Sequence, residues 1–228
     1  MYFVFNCFYQ QLNSASNRWC TADGLELELG SGAGFFKEIR PQLITSDIRA
    51  SKSIDLQADA HLLPFEDSAV SHCFGINVFH HLSSPEIFLN EQIRVLKPGG
   101  VCILIEPHNG VLSSFVHKNL HEDEYFDPDQ PDWTNASVSS PMKGANQALA
   151  HIVFNRDKGL FIQKFSEKLE IVHQEYCNNS IRYLMTGGFT YRQIFPDIAE
   201  NTIKKVEKTL NWATRFWSLH QMTVIKRV

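Results

Sequence analysis

A glycine-rich turn near the start of the chain constrains the fold more than any other feature. The segment is Glu28-Leu29-Gly30-Ser31-Gly32-Ala33-Gly34. The leucines at alternate positions 25, 27 and 29 lead into its glycines, and this spacing is typical of a β-strand. The residues from Ala33 to Ile39 predict a short helix that ends before Pro41. Glycine is needed where such a turn takes positive φ values and where a ligand lies against the backbone. The order of strand, glycine turn and helix therefore predicts a loop that binds a nucleoside cofactor.

The spacing of the glycines and the acidic residue before them indicate which cofactor. Turns that bind a dinucleotide use a longer glycine spacing, whereas this chain has Gly-x-Gly-x-Gly with Glu28 two residues earlier. A carboxylate repels a pyrophosphate, but it suits the ammonium and sulfonium groups of S-adenosylmethionine. Asp47 ends a second predicted strand, where a carboxylate can accept hydrogen bonds from both ribose hydroxyls. Asp59 lies in a third acidic turn.

From about Leu25 to Pro107, the chain resembles the class I S-adenosylmethionine-dependent methyltransferases. The resemblance rests on five ordered blocks: the glycine turn from 28 to 34, the acid at 47, the Asp59-Ala60 turn followed by Leu63-Pro64-Phe65, the fourth-strand segment from 77 to 82, and the turn Leu96-Lys97-Pro98-Gly99-Gly100. It implies that S-adenosylmethionine is the cofactor and S-adenosylhomocysteine the product. The cofactor-binding residues that it implies are Glu28, Gly30, Ser31, Gly32, Gly34, Asp47, Ile48, Asp59, Ala60 and Asn77.

The pattern of strands and helices predicts an α/β fold. Strands near 24–29, 42–47, 54–58, 71–77 and 101–106 alternate with helices near 33–40 and 84–96, which indicates a doubly wound, mainly parallel sheet. Further strands are predicted at 168–176 and 220–226, with a helix near 197–213 between them. The family resemblance implies a Rossmann-like sheet of seven strands, of which the last is antiparallel.

A long insertion follows the fifth predicted strand. It spans 108–166 and contains predicted helices at 112–121 and 146–155, separated by an acidic, proline-rich loop. Long loops in compact domains are usually lids or binding segments, and ligands bind outside the carboxyl ends of parallel strands. We therefore expect one methyltransferase domain over 1–228, with an N-terminal helical segment (1–22), a cofactor-binding core (23–107), a lid (108–166) and C-terminal elements that complete the sheet (167–228).

Composition limits the partners of the chain. Its 228 residues are 43% hydrophobic, enough for a sizeable core, and its formal net charge of −4 argues against nucleic acid. Five cysteines without a paired spacing indicate a reducing compartment, and the aromatic start is a poor secretory signal. Charges interrupt every apolar run, so no membrane span is expected. We expect a cytoplasmic protein, and the aromatic start packs either beside the cofactor cleft or against a second subunit in a homodimer.

Candidate catalytic side chains lie after the fourth and fifth strands. His80 and His81 follow the fourth strand, and neighbouring side chains at such a turn point in different directions, so at most one should enter the cleft. We favour His80 there and expect His81 to be buried or to cap a helix. Glu106 and His108 flank Pro107, with His108 as the second candidate base. Orientation alone can accelerate methyl transfer strongly, so a general base is optional.

The insertion offers one arrangement with metal-ligand spacing. His117 and His121 are four residues apart and precede Glu122, Asp123 and Glu124, but the zinc-protease pattern is absent. A solvated helix end explains these residues, so no metal site is expected.

The sequence supports a small-molecule methyltransferase that transfers a methyl group to an oxygen or nitrogen atom. Ser71 and His72 stand where many relatives carry an aspartate, which keeps open a degenerate cofactor-binding subunit that acts through a partner protein. The general fold also keeps open a nicotinamide-dependent oxidoreductase, although the glycine spacing and Glu28 disfavour it.

Overall fold

The computed structural model describes residues 2–120, 124–134, 145–185 and 200–228. Its strands are β1 (Leu25–Leu29), β2 (Ile44–Asp47), β3 (Leu56–Gln57), β4 (Val70–Ile76), β5 (Leu96–Pro107), β6 (Leu169–Tyr176) and β7 (His220–Arg227). Its α-helices are α1 (Tyr2–Trp19), α2 (Pro85–Val95), α3 (Val111–Leu120), α4 (Leu149–His151), α5 (Lys158–Phe165), α6 (Ser180–Met185), α7 (Glu200–Thr209) and α8 (Thr214–Trp217). Within the described ranges, no helix is both long and apolar enough to cross a membrane.

The seven described strands form one sheet in the order β3-β2-β1-β4-β5-β7-β6. Strands β1 to β5 pair in parallel, whereas β7 runs antiparallel to both β5 and β6. The prediction of a Rossmann-like sheet with an antiparallel last strand is confirmed. The chain order changes direction between β1 and β4, and in such sheets ligands bind at this switch point, outside the strand carboxyl ends.

Strand β5 is buried on both faces because its side chains alternate between two apolar clusters. Val101, Ile103 and Ile105 belong to the cluster that contains Phe8 and Leu12 of α1. Cys102 and Leu104 belong to the opposite cluster, which also holds the following side chains of the insertion: Trp133, Leu149, Phe154 and Phe161. A parallel sheet covered on both faces leaves no solvent side for its inner strands. The acidic residue Glu28 of β1 is therefore buried as well.

The helix predicted at 33–40 is instead a single 3₁₀ turn over Phe35–Glu38. Gly34 precedes it with a φ of 70°, in the left-handed region, so a right-handed helix cannot begin earlier. Pro41 disfavours helical geometry at Arg40, so the turn cannot continue. The glycine turn is thus followed by only one short turn of helix.

The insertion begins as predicted with α3, but its second half differs from the sequence expectation. A helix was expected at 146–155, whereas α4 starts at Leu149 and passes into a π-helical turn over Ile152–Arg156, followed by α5. The Asn146 side chain accepts from the N–H of Ala148 and donates to the carbonyl of Asp127 at 2.8 Å, so it holds the loop rather than a helical turn. His121 lies outside the described residues, as do 122–123 and 135–144 of the predicted acidic loop.

Candidate active site

The glycine turn after β1 has the backbone geometry of a close ligand contact. Gly30, Gly32 and Gly34 all have positive φ, at 61°, 53° and 70°. A Cβ at Gly34 would lie 2.5 Å from the carbonyl oxygen of Ser53, and one at Gly30 would lie 2.9 Å from Val78. A Cβ at Gly32 would meet no atom within 4 Å. Gly30 and Gly34 are therefore required by packing, whereas the space above Gly32 is open to a ligand.

Hydrogen bonds from β2 fix the turn in place. The Ser46 hydroxyl donates to the carbonyl of Glu28 at 2.8 Å, and the Ser46 N–H donates to the Ser31 hydroxyl at 3.1 Å. Asp47 accepts from the N–H of Gly32 through Oδ2 at 3.3 Å and from the N–H of Arg49 through Oδ1 at 3.0 Å. These bonds hold the carboxylate of Asp47 beside the glycine turn, and each oxygen retains a lone pair for a further donor.

Two buried oxygens at the ends of β1 and β4 have no hydrogen-bond partner among the described residues: Oε2 of Glu28 and Oδ1 of Asn77. Buried polar atoms are normally hydrogen-bonded, so two orphaned acceptors at the sheet switch point indicate an external donor. Asn77 has a φ of 53°, which is uncommon for a residue other than glycine and is found at functional sites. An ammonium group, such as that of S-adenosylmethionine, is a suitable donor for such an acceptor.

Burial raises the pKa of Glu28 to about 8, although a hydrogen bond from Ser31 opposes the shift. The carboxyl group is therefore mostly neutral at pH 7 in the free protein. A cation brought next to it would favour the ionised form and lower its pKa. Glu28 is thus a group whose charge depends on whether the site is filled.

A cavity of about 300 Å³ lies at the same edge of the sheet. Among the predicted cofactor residues, those that line it are Gly30, Asp47, Ile48, Asp59, Ala60 and Asn77. Glu28, Ser31, Gly32 and Gly34 lie in the neighbouring turn and are not part of the wall. Ile48 leaves 45% of its surface exposed, an apolar surface suited to a purine base. The cavity and the turn together match the size and chemistry of a nucleoside cofactor.

The wall also contains His61, which sequence reasoning did not single out. Its Nε2 accepts from the N–H of Ser84 at 3.2 Å, so its Nδ1 carries the proton and donates to Asp59 at 2.7 Å. Burial raises the pKa of Asp59, but the hydrogen bonds from His61 outweigh it and the net shift is downward. Only its position, two residues after the acid, could have identified His61 in the sequence.

His80 is buried behind the cavity, in contrast to the expectation that it faces the cleft. Its Nδ1 lies 2.6 Å from Glu106, and Glu106 also accepts from the N–H groups of Val78 and Phe79 at 2.8 and 2.7 Å. Burial lowers the pKa of His80, but the carboxylates of Glu106 and Glu124 outweigh it and raise the pKa to about 9. In this state His80 carries a proton at neutral pH and cannot accept another. Glu106 positions the turn after β4 and does not line the cavity.

His81, which was expected to be buried or to cap a helix, lines the cavity instead. Its Nε2 lies 3.4 Å from Oε1 of Glu124, and Nε2 of His80 lies 3.4 Å from Oε2 of the same carboxylate. Burial raises the pKa of Glu124, but the two histidines outweigh it and bring the pKa to about 2. The insertion thus contributes an acidic side chain beside the cavity, whereas the sequence had placed Glu124 only with His117 and His121.

His108, the second candidate base, lies away from the cavity wall. Its Nε2 is 3.2 Å from the carbonyl of Arg215, and its ring packs 4.6 Å from that of Tyr176. Burial lowers its pKa. His117 is also buried and stacks on Phe126 at 5.6 Å, so it is not at a solvated helix end. The structure brings neither histidine to the predicted cofactor residues.

Residues 27–104 match a family model described as a methyltransferase domain. A protein of Mycobacterium leprae (strain Br4923), named as an uncharacterized methyltransferase, is 32% identical over 94 residues, which cover 34% of this chain and 35% of that protein. A second relative with this name, from Mycobacterium sp. (strain JLS), is 39% identical over 49 residues, or 22% of this chain and 19% of the relative. The first match therefore spans about a third of its relative's length.

Solved structures are similar over nearly the whole chain but at low identity. A SAM-dependent methyltransferase of Archaeoglobus fulgidus aligns with 97% of this chain and 93% of its own, at a TM-score of 0.51 and 15% identity. The geranyl diphosphate C-methyltransferase of Streptomyces coelicolor A3(2) aligns with 96% of this chain and 79% of its own, at a TM-score of 0.53 and 11% identity. At such identities the likeness concerns the fold alone.

Proposed function

We propose that the chain is a class I S-adenosylmethionine-dependent methyltransferase, since residues 27–104 match a methyltransferase domain, and that it methylates an oxygen or nitrogen atom of a small metabolite. The observation that carries the proposal is the pair of buried acceptors without partners, Glu28 and Asn77, at the sheet switch point. Asn77 lines the cavity of about 300 Å³, and Glu28 lies just before the turn that contains Gly32.

The residues around the cavity fit the parts of the cofactor. Glu28 and Asn77 would accept hydrogen bonds from its ammonium group, and Asp47 from its ribose hydroxyls. Ile48, Asp59 and Ala60 would surround the adenine, since they line the wall together with His61. S-adenosylmethionine supplies an electrophilic methyl group on a sulfonium when bound. The chain's own groups bind and orient that cation next to the acceptor.

Methyl transfer here depends mainly on orientation. The residues around the cavity would hold the lone pair of the acceptor in line with the methyl group of the bound cofactor. Effective molarities of about 10⁵ M or more are available from alignment alone. A proton carried by the acceptor leaves to solvent water in the cavity. A protonated His80, held by Glu106, serves to fix the turn after β4 rather than to remove this proton.

The negative charge around the cavity favours a small acceptor that carries no negative charge. The chain carries a formal net charge of −4, and the acidic insertion places Glu124 beside the cavity. Nucleic acids require a basic surface, because phosphate contacts dominate their affinity. A neutral or cationic metabolite meets no such barrier.

A turnover experiment with fractionated extract tests this proposal. The purified chain and S-adenosylmethionine would be incubated with the low-mass fraction of a cell extract or with its protein and nucleic acid fraction. We expect S-adenosylhomocysteine to form only with the low-mass fraction. Formation only with the macromolecular fraction would contradict a small-molecule acceptor. No product with either fraction, despite cofactor binding, would favour the degenerate subunit that acts through a partner.

A further inference from the structure

Three side chains from two parts of the chain converge beside the cavity. His80 and His81 come from the turn after β4, and Glu124 comes from the insertion. One ligand atom of each lies within 4.8 Å of the other two, and the two imidazole rings are 4.2 Å apart. We call these three residues the His80–His81–Glu124 cluster.

The separations within the cluster are too long for strong hydrogen bonds. Nε2 of His80 and Nε2 of His81 each lie 3.4 Å from an oxygen of Glu124, whereas an N–H donor and a carboxylate usually approach to roughly 2.7–2.9 Å. Ligand atoms on the edge of a tetrahedral zinc site, with bonds of about 2.05 Å, are roughly 3.3 Å apart. These two nitrogen–oxygen separations are therefore closer to those between ligands of a metal ion than to those of a closed ion pair.

The groups behind the cluster orient it in the way that metal sites require. The Nδ1–H of His80 donates to Glu106 at 2.6 Å, which leaves Nε2 directed at the cluster. A metal-binding histidine typically donates its other N–H to such a carboxylate. Gln147 donates to Oε2 of Glu124 at 2.6 Å and so holds the third ligand. Two imidazoles and one carboxylate form a borderline donor set, which suits zinc and similar divalent ions better than Mg²⁺ or Ca²⁺.

We propose that the His80–His81–Glu124 cluster binds Zn²⁺ with one coordination position open to the cavity. Three protein ligands and an open position are the arrangement of catalytic rather than structural zinc sites. His81 lines the cavity, so the open position would face the cavity. Resting on the proposed function, we assign the acceptor to molecules with a hydroxyl oxygen that could bind zinc there.

Charge balance supports a cation at this place. Glu106 and Glu124 bring two carboxylates to a region where His80 is fully buried and His81 is mostly buried. Buried carboxylates need a compensating positive charge. A divalent ion bound at the cluster would supply it. The sequence expectation of no metal site considered the His117 to His121 spacing and did not include His80 or His81.

Cobalt titration of the full-length protein tests the proposal. The purified chain would be stripped with a chelator, titrated with Co²⁺ while visible absorption is recorded, and then titrated with Zn²⁺ to displace the cobalt. We expect one equivalent of Co²⁺ to give the intense bands of a four-coordinate site, and one equivalent of Zn²⁺ to abolish them. Absence of these bands, together with no Zn²⁺ binding by calorimetry, would overturn the site and leave His80 as a protonated clamp.

Matched variants assign the ligands. His81→Ala and Glu124→Gln should each weaken Zn²⁺ binding more than about tenfold, a loss typical of metal sites. His173→Ala and Glu175→Gln are the controls, since this partly exposed pair lies 3.2 Å apart on β6, away from the cavity. Equal affinity in all four folded variants, checked by circular dichroism, would contradict the assignment.

Binding of S-adenosylmethionine to the stripped protein separates the two proposals. Cofactor binding without any metal binding would retain the methyltransferase and reject the zinc site. Metal binding without cofactor binding would retain the site and reject the proposed function.

Discussion

At the scale of single residues, the three glycines of the turn have different roles although they share a motif. Gly34 is fixed by the nearby carbonyl of Ser53 and Gly30 by Val78, whereas Gly32 has open space in front of it. The sequence predicted a ligand-binding turn but could not distinguish these roles. The distinction depends on contacts with segments that are distant along the chain.

Gly32→Ala should therefore impair binding more than folding. Its φ of 53° makes the substitution cost about 1–2 kcal/mol in stability, but the new Cβ would occupy the space open to the ligand. We expect the affinity for S-adenosylhomocysteine, measured by calorimetry, to fall at least about tenfold, or roughly 1.4 kcal/mol. Gly159→Ala in α5 is the control, because a Cβ there also meets no atom within 4 Å. Equal affinity in both variants would contradict the placement of the ligand.

Glu28 gives a pH-dependent contribution to stability. Its pKa in the folded protein, about 8, lies above the value of 4.5 for a free carboxyl. The folded state thus holds the proton more tightly, and the stability from this group decreases as pH rises from about 4.5 to about 8. Urea unfolding should show a larger loss of stability between pH 5 and pH 8 in the wild type than in Glu28→Gln. An identical loss in both proteins would contradict the raised pKa.

At the scale of elements, helix α1 completes the core on one face of the sheet. Its Leu12 is fully buried among the side chains of β4, β5 and the 3₁₀ turn after the glycine loop, and Tyr9 stacks on Phe36 at 4.7 Å. The sequence predicted a helical segment here but left open whether it packs beside the cleft or against a second subunit. In the structure its buried face packs on the chain's own sheet.

Leu12→Ala should destabilise the protein by about 2–5 kcal/mol, because it leaves a cavity in a packed core. The exposed Ser14→Ala in the same helix should change stability by less than about 0.5 kcal/mol. Urea unfolding of both variants measures the difference. A small effect of Leu12→Ala would mean that α1 contributes little to the core.

Within the insertion, the loop over 124–134 is held by hydrogen bonds to its backbone carbonyls and by apolar contacts. The Arg156 guanidinium donates to the carbonyls of Pro128 and Gln130 at 2.7 and 2.8 Å, and Trp133 is fully buried. Arg156→Gln should speed hydrogen exchange in residues 124–134, whereas the exposed Arg18→Gln in α1 should not. Unchanged exchange in the Arg156 variant would show that Trp133 and its neighbours suffice to hold the loop.

At the scale of the whole molecule, the sheet could be predicted from the sequence. The positions of the histidines relative to the cavity could not. Alternating or continuous apolar runs and the glycine turn are local signals, so they located the strands and the cofactor edge. His81 lines the cavity and His80 is buried, the reverse of the prediction. This arrangement depends on Glu106 and on Glu124, which lie 26 and 44 positions beyond His80 in the sequence. No local sequence pattern indicates contacts between residues so far apart in the chain. The homodimer and the cytoplasmic location stay predictions.

The most direct test of the cofactor site is a calorimetric titration of the purified chain with S-adenosylmethionine and S-adenosylhomocysteine, with a nicotinamide dinucleotide as the control ligand. We expect binding of one equivalent of each of the first two ligands and none of the dinucleotide, because Glu28 and the glycine turn suit a cation rather than a pyrophosphate. Binding of the dinucleotide alone, or of none of the three, would contradict this cofactor site.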